Sequence, residues 1–287
     1  MLFRSNGMNI EAQVAGRSIG LLMCLQGTVN PLMMHAAYNE VASLPLAERV
    51  VALSEPSRYA RLLAERPNHR FYEQFVGENF HMMFPVDGKD INYEPTPAES
   101  IAGLAAATGA SPYAIMIDHL LSNGGNGLIY RPFLNYAYGD LSMTHELLQH
   151  PLTRNGLSDA GAHCGVICDG GMPTFLLTHW VRDRSRGPRL PLEHVVSRQT
   201  RQTALLHGLF DRGVVAPGYR ADLNIIDFDA LRFDVPQIEY DLPAKGRRLT
   251  QRASGYLATF CAGVQTVDHD EFTGELPGRL LRGPQHV

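Results

Sequence analysis

The chain contains few lysines and no long hydrophobic run. Its 287 residues include only two lysines, Lys89 and Lys245, and the arginines that supply the other basic side chains are scattered. The net charge is −4, so no basic surface for nucleic acid is expected. The longest apolar run, Ile19 to Leu25, is interrupted by Gly20 and is much shorter than the roughly 20 residues of a membrane-spanning helix. We therefore expect neither a nucleic-acid partner nor a membrane partner.

Cysteine is also scarce, with four residues in the whole chain. So few cysteines in a chain of this length do not form a disulfide framework, which excludes the class of small secreted scaffolds. The first residues lack the charged front and the small-residue exit of a signal peptide. The sequence therefore predicts reduced thiols and a cytoplasmic location.

Several common catalytic motifs are missing. None of the 12 histidines forms a His-x-His or a His-Glu-x-x-His motif. The chain has no phosphate-binding Gly-x-x-x-x-Gly-Lys loop and no Gly-x-Ser-x-Gly nucleophile motif. These absences argue against the common metalloprotease, nucleotide-hydrolase and serine-esterase classes.

The order of helix and strand patterns predicts an α/β chain with two parts. Residues 10–14 alternate apolar and polar side chains, which is typical of a strand. Capping signals predict helices at 96–109 and at 191–206, where Pro follows the cap or begins the helix and Gly follows its end. Beyond about residue 207, turns rich in Gly and Pro separate short β runs. We predict a helix-rich part at residues 1–207 and an all-β part at 208–287.

The stretch GLSDAGAHCGVICDGG, residues 156–171, contains the main candidate catalytic residue, Asp159. Asp159 follows a short predicted strand and precedes a loop of small residues. α/β barrels place catalytic groups at such strand ends. A carboxylate there can transfer a proton from a metal-bound water or act as a weak metal ligand. The alternative is that Asp159 caps a turn or a helix, as Asp often does in loops.

The same stretch contains a His and two Cys with spacing that resembles a zinc site. His163, Cys164 and Cys168 are plausible ligands by type. A closed zinc site needs four ligands, however, and the sequence has no second cluster of Cys and His. We therefore favour buried free thiols over a zinc site.

Arg17 directly follows the first predicted strand. If that strand belongs to a barrel, Arg17 lies near the same rim as Asp159. A guanidinium there can hold a substrate carboxylate through two parallel hydrogen bonds. The alternative is a structural or surface arginine.

Several segments together resemble the N-acyl-D-amino-acid deacylases (D-aminoacylases) of the amidohydrolase superfamily. They are GLSDAGAH, PTFLLTHWVRDR, HGLFDRGVVAPGYRADLNIIDFDAL, DLPAKGRRL and TGELPGRLLRG, and the likeness runs from about Gln13 to the C-terminus. The resemblance implies a metal-dependent (β/α)8 TIM-like barrel joined to a β-sandwich that is built from both chain ends. It also implies hydrolysis of an amide C–N bond in a small-molecule N-acyl amino acid or related amide by a zinc-activated water. Asp159 matches the general acid/base of this family, and His163 lies in the same motif as a candidate substrate-binding residue.

The chain also departs from this family. Members carry metal ligands upstream of the Asp motif, namely a His-x-His, then a Cys, Glu or modified Lys, and two further His. Nothing in this sequence matches them. We therefore expect a partial barrel at residues 1–207, with a helical insertion at about 40–150, and a β-sandwich portion at 208–287. On this interpretation the chain is an N-terminally truncated enzyme that is inactive alone and binds zinc poorly.

Two other hypotheses remain open. The chain is either a non-catalytic short protein that binds a partner or completes the barrel of another chain, or an amidohydrolase of the dihydropyrimidinase or dihydroorotase type. The second alternative shares the fold and the Asp, although the segment THWVRDR favours the deacylase-like branch.

Overall fold

The computed structural model describes residues 10–70, 72, 79–88, 90–158 and 163–287. The fold mixes helices and sheets, which confirms the α/β class. Strand β1 (Ala12–Ala15) confirms the strand expected near the start and pairs in parallel with β5 (Thr153–Gly156). Their register places Ala15 opposite Gly156, so the two strands end at the same edge.

A three-stranded antiparallel sheet and a group of helices lie between β1 and β5 in the chain. The central strand is β4 (Leu128–Leu134), flanked by β2 (Ile19–Met23) and β3 (Phe84–Val86). The helices before the fourth strand are α1 (Ala36–Asn39), α2 (Leu46–Ser54), α3 (Pro56–Ala64), α4 (Ile101–Thr108) and α5 (Pro112–Gly125).

The predicted capping signals occur in the structure with one shift. Thr96 and Glu99 form the expected capping box, but it closes a 3-10 turn, and α4 begins only after Ser100, whose side chain accepts from the Gly103 backbone N–H at 3.0 Å. Gly109 ends α4 with φ of 73°, a left-handed conformation that Gly adopts without a steric penalty. The predicted end of this helix is therefore confirmed, and its predicted start is four residues early.

The antiparallel sheet separates two hydrophobic cores. Side chains alternate between the faces of a strand, and in β2 Leu21 and Met23 face one core while Leu22 faces the other. The first, which we call the helical core, contains Met23 and fully buried residues of the helices (Leu53, Leu62, Ile101, Met116, Ile117). The second, which we call the aromatic core, contains Leu22 and large aromatic side chains (Tyr93, Tyr130, Phe175, Trp180). Strand β2 therefore has apolar side chains on both faces and is buried on both sides.

The described residues between β5 and residue 207 form regular structure only as helices. It comprises α7 (Met172–Leu177), a π-helix (Thr178–Asp183), α8 (Leu192–Gln199) and α9 (Arg201–Leu206), while α6 (Ser142–Gln149) precedes β5. The single helix predicted at 191–206 is wrong, since Thr200 breaks it with φ of −114° and ψ of −92°. No helix among the described residues is long and apolar enough to cross a membrane.

The regular structure after Leu206 consists of short antiparallel strands and one 3-10 turn. The strands are β6 (Leu223–Ile226), β7 (Arg232–Phe233), β8 (Gln237–Leu242), β9 (Gly246–Thr250), β10 (Ala253–Ser254), β11 (Tyr256–Cys261), β12 (Val264–Asp268) and β13 (Glu271–Phe272). A four-stranded sheet has the order β13-β12-β11-β6, and two further strand pairs are β10-β7 and β8-β9. These short strands agree with the β runs predicted beyond about residue 207. The domain boundary near residue 207 stays a prediction.

Candidate functional site

Two loops leave the parallel strands β1 and β5 at one edge. Because Ala15 is in register with Gly156, the Arg17 segment and the segment that leads to Asp159 start side by side. This is the arrangement in which α/β folds collect functional groups at the carboxyl ends of strands. Asp159 itself lies outside the described residues, so its catalytic role and its role as a weak metal ligand stay predictions.

Arg17 is buried beside this edge and is only 2 % exposed. Its Nη2 donates to the Cys168 carbonyl at 2.7 Å and lies 3.3 Å from a carboxylate oxygen of Asp169. The guanidinium carbon lies 3.7 Å from the centre of the Tyr93 ring, a distance typical of a cation–π contact. These contacts turn the guanidinium into the protein, where it joins β1 to the segment that follows the Asp159 loop. Binding of a substrate carboxylate by Arg17 stays a prediction, and such a carboxylate would compete with Asp169.

His163 is the first described residue after the Asp159 loop. It is exposed and has φ of 56°, and its carbonyl accepts from the backbone N–H of Val166 and Ile167, both at 2.9 Å. The residue therefore begins a tight turn and leaves its imidazole at the surface. Its proposed contact with substrate stays a prediction.

The turn that follows is anchored by backbone hydrogen bonds to separate parts of the chain. The carbonyl of Gly165 accepts from Thr28 at 2.9 Å, and the carbonyl of Cys164 accepts from Leu249 on β9 at 2.6 Å. The first bond joins Gly165 to Thr28, which follows β2, and the second joins Cys164 to β9. The residues that follow the Asp159 loop are therefore hydrogen-bonded to partners that are distant in sequence.

The four cysteines are free; Cys24 and Cys168 are buried as expected, whereas Cys164 and Cys261 are half-buried. Burial raises the pKa of Cys168 to about 11, so this thiol stays protonated at neutral pH. Among residues 10–70, 72, 79–88, 90–158 and 163–287, no group of three or more His, Cys, Asp or Glu side chains is placed to hold a metal ion. The donor set of the described residues therefore does not fit a zinc site, and His163, Cys164 and Cys168 do not form one.

Glu94 is the centre of a buried charged cluster that the sequence did not reveal. Its side chain is 1 % exposed, and the Arg184 guanidinium donates one hydrogen bond to each carboxylate oxygen, both at 3.0 Å. His179 lies 2.9 Å from one of these oxygens, and the backbone N–H of Leu141 donates to the other at 2.8 Å. Burial raises the pKa of Glu94, but hydrogen bonds from His179 and Arg184 outweigh it and lower the pKa to about 2. The carboxylate is therefore ionised at neutral pH.

The segment THWVRDR connects this cluster to the end of β1. Trp180 is fully buried, and its indole N–H donates to the carbonyl of Gly16 at 2.6 Å. A Cβ at Gly16 would lie 2.9 Å from the side chain of Leu176, so a larger residue here requires Leu176 to move. The Arg184 guanidinium carbon lies 4.6 Å from the centre of the Trp180 ring. The π-helix thus positions the loop that carries Arg17, and π-helical turns often occur at functional sites.

Comparison with protein families identifies the family of the chain. The model of the amidohydrolase family (Amidohydro_3) matches residues 9–267, which is most of the chain. The chain therefore belongs to the amidohydrolase family.

The similar proteins are D-aminoacylases, which confirms the resemblance found in the sequence. The D-aminoacylase of Alcaligenes xylosoxydans xylosoxydans is 33 % identical over 106 residues, which cover 37 % of this chain and 19 % of that enzyme. The chain thus spans about a fifth of the length of this curated relative.

Two solved D-aminoacylase structures are also similar. A crystal structure of a D-aminoacylase that defines a novel subset of amidohydrolases has a TM-score of 0.38 and 25 % identity, over 68 % of this chain and 40 % of that chain. A D-aminoacylase studied for its binuclear metal centre has a TM-score of 0.37 and 23 % identity, over the same shares of both chains.

Proposed function

We propose that this chain is part of a hydrolase that cleaves the amide C–N bond of N-acyl amino acids or related amides. The family match over residues 9–267 carries the proposal. The 33 % identity with a D-aminoacylase supports the substrate class, although it covers only part of both chains. The substrate on this proposal is a small molecule, in a protein that we place in the cytoplasm.

We propose Asp159 as the general acid/base of the reaction. Its loop follows β5, whose parallel pairing with β1 supports a position at the carboxyl edge of a strand pair. A carboxylate there takes a proton from the attacking water and returns it to the amine that leaves. His163 and Arg17 are proposed to contact the substrate, Arg17 by exchanging Asp169 for a substrate carboxylate.

The implied metal has no place among the described residues, because no donor group there fits it. Zinc would supply the activated water of such an enzyme. We propose that zinc ligands lie outside the described residues, and that the 287-residue chain alone binds zinc poorly and is inactive. We further propose that residues 1–207 form part of a TIM-like barrel with an insertion at about 40–150, and that residues 208–287 form part of a β-sandwich.

Replacement of Asp159 tests the proposed chemistry. Asp159→Ala, made in the full-length protein, is expected to lower the hydrolysis rate of N-acetyl amino acids of either chirality by about 100-fold or more. Asp229→Ala, which replaces an exposed Asp on another loop, serves as the matched control and is expected to keep full activity. Equal turnover by the Asp159→Ala variant and the control would refute the assignment.

A second candidate is a non-catalytic chain that completes the barrel of another chain. One observation favours it: within the described part, β1 pairs only with β5, so both strands keep an open edge. Such edges offer backbone N–H and C=O groups to another strand. Under this hypothesis Asp159→Ala leaves binding to the partner chain intact and no variant changes hydrolysis.

A further inference from the structure

The backbone of Gly16 is held by two side chains from the segment that follows Gly171. Gly16 is buried and directly follows β1. Its N–H donates to the thioether sulfur of Met172 at 3.0 Å, and its carbonyl accepts from the indole N–H of Trp180 at 2.6 Å. The two partners lie 156 and 164 positions further along the chain. One residue at the end of β1 is therefore bonded through both of its backbone groups to a distant helical segment.

A third side chain of this segment packs on Gly16. Leu176 occupies the space that a Cβ of Gly16 would need. Met172, Leu176 and Trp180 follow one another at intervals of four residues, a spacing that places side chains on one face of a helix. Helix α7 supplies the first two, and the π-helix supplies Trp180. We call these three residues the Gly16-binding face.

The Gly16-binding face is fixed by its surroundings. Its three side chains are buried, with Trp180 at 0 % exposure. The carbonyl of Trp180 accepts from the backbone N–H of Leu190 at 2.7 Å, and the guanidinium carbon of Arg184 lies 4.6 Å from the centre of the indole ring. A side chain that is packed and bonded in this way keeps one rotamer. The indole N–H is therefore a preorganised donor for the Gly16 carbonyl.

The residue that this face holds lies at the edge of the proposed site. Ala15, which precedes Gly16, is in register with Gly156 of β5, and Asp159 follows Gly156 by three positions. A shift of Gly16 therefore moves the end of β1 and, through the strand pair, the start of the segment that leads to Asp159. A misplacement of about 1 Å, even one caused far from the reacting atoms, can cost about 100-fold in rate.

We propose that Met172 and Trp180 are positioning residues for the hydrolysis proposed above. Both act through the backbone of Gly16 and not through contact with the substrate. The inference rests on the proposed function, since it requires a reaction at the edge where β1 and β5 end. Trp180 contributes more than Met172, because a carbonyl is a stronger hydrogen-bond acceptor than a thioether sulfur.

Steady-state kinetics of the full-length protein with N-acetyl amino acids test the positioning role. Trp180→Phe keeps an aromatic ring but lacks the N–H, and it is expected to lower kcat by about tenfold or more. KM should change by less than about twofold, because the proposed acid/base, Asp159, acts in the chemical step. Met172→Leu conserves the side-chain volume and should lower kcat by only about two- to fivefold. Circular dichroism first establishes a temperature at which each variant is folded, and kcat is measured there.

Ile238→Ala is the matched control for a merely structural effect. Ile238 lies on β8 and packs against the same aromatic core, but its side chain has no hydrogen-bond donor to lose. The variant should lose stability and keep kcat within about twofold of the parent protein. The positioning role predicts a fall in kcat for Trp180→Phe alone, whereas a structural role predicts the same kcat per folded molecule in both variants.

The bond itself has a readout that does not depend on activity. Trp180 is the only Trp of the 287-residue chain, so its indole N–H gives a single signal in a 1H–15N spectrum. Because this N–H is buried and bonded to Gly16, its exchange with solvent should be slower than that of free tryptophan by about 100-fold or more.

The outcomes separate the two proposals. Fast exchange of the indole N–H, or an active parent protein whose kcat falls no further in Trp180→Phe than in Ile238→Ala, would overturn the positioning role and leave the proposed hydrolysis intact. A full-length parent protein that hydrolyses no N-acetyl amino acid would overturn the proposed function and this inference together.

Discussion

His35 and Glu94 are both almost completely buried, but the helical core and the aromatic core surround them in opposite ways. His35 lies beside Tyr72 of the helical core with 0 % exposure, and no residue in the described part of the chain hydrogen-bonds either ring nitrogen. Glu94 borders the aromatic core with 1 % exposure and is held by Arg184, His179 and the backbone of Leu141.

This difference has an energetic consequence. A buried charge is tolerated only with partners, so removal of one member of the Glu94 cluster leaves the others uncompensated. A buried imidazole without partners is tolerated only in its neutral form, and an apolar side chain of similar size can replace it. We therefore expect the free energy of unfolding to fall when the polar network beside the aromatic core is broken. We expect it to change little when the histidine of the helical core is replaced.

The largest effect is expected from Glu94→Ala. The variant leaves the guanidinium of Arg184, whose side chain is 1 % exposed, without its carboxylate, and the free energy of unfolding should fall by about 3–5 kcal/mol. Urea unfolding followed by circular dichroism measures it. Glu193→Ala, at an exposed position in the first turn of α8, is the control and should stay within about 0.5 kcal/mol of the parent. A similar small change in both variants would remove the contrast between the cores.

The same carboxylate predicts a loss of stability in acid. The pKa of Glu94 is about 2 in the folded chain and 4.5 in its ordinary range, so its contribution is complete above pH 4.5 and is lost as the pH falls toward 2. The shift corresponds to a loss on the order of 3 kcal/mol. Unfolding free energies measured between pH 6 and pH 2 should show a shallower slope for Glu94→Gln than for the parent chain. Identical slopes would contradict the pairing of Glu94.

Trp180→Phe should have an intermediate effect. The substitution keeps an aromatic ring in the core but leaves the Gly16 carbonyl without its indole donor, and we expect a loss of about 1–3 kcal/mol. Tyr138→Phe, at a side chain that is 72 % exposed, is the control and should be nearly neutral. Thermal unfolding of both variants provides the comparison, and equal midpoints would show that the Trp180 contact contributes little.

The smallest effect at neutral pH is expected from His35→Leu. Burial lowers the pKa of His35 from 6.5, so the parent chain loses stability as the pH falls below 6.5 until the folded-state pKa is reached. The variant should match the parent within about 1 kcal/mol at pH 7.5 and lack this component of the pH slope. Unfolding at several pH values between 7.5 and 5 measures it. A fall of several kcal/mol in the free energy of unfolding at pH 7.5 would mean that His35 makes a stabilising contact.

Local sequence signals predicted the C-terminal end of α4 but not the break between α8 and α9. Gly109 was predictable because a left-handed residue ends α4, and this requirement is local. The break at Thr200 was not predictable, because the helical pattern continues through it without Pro or Gly.

The candidate site shows the same limit. The position of Arg17 after β1 followed from the strand pattern, and the parallel partner β5 ends at the same edge as β1. The inward turn of Arg17 depends on Tyr93 and Asp169, which are distant in sequence. The Glu94 cluster joins residues up to 90 positions apart, so no local sequence pattern predicts it. Such contacts are tertiary, and a single sequence does not reveal them.

The most direct test of the proposal that the 287-residue chain alone binds zinc poorly and is inactive is a combined measurement of its zinc content and its amidase turnover. The described residues provide no group that fits a metal ion, so we predict clearly less than one zinc per chain and no hydrolysis of N-acetyl amino acids. One zinc per chain together with turnover would contradict this account and would place a complete metal site within these 287 residues.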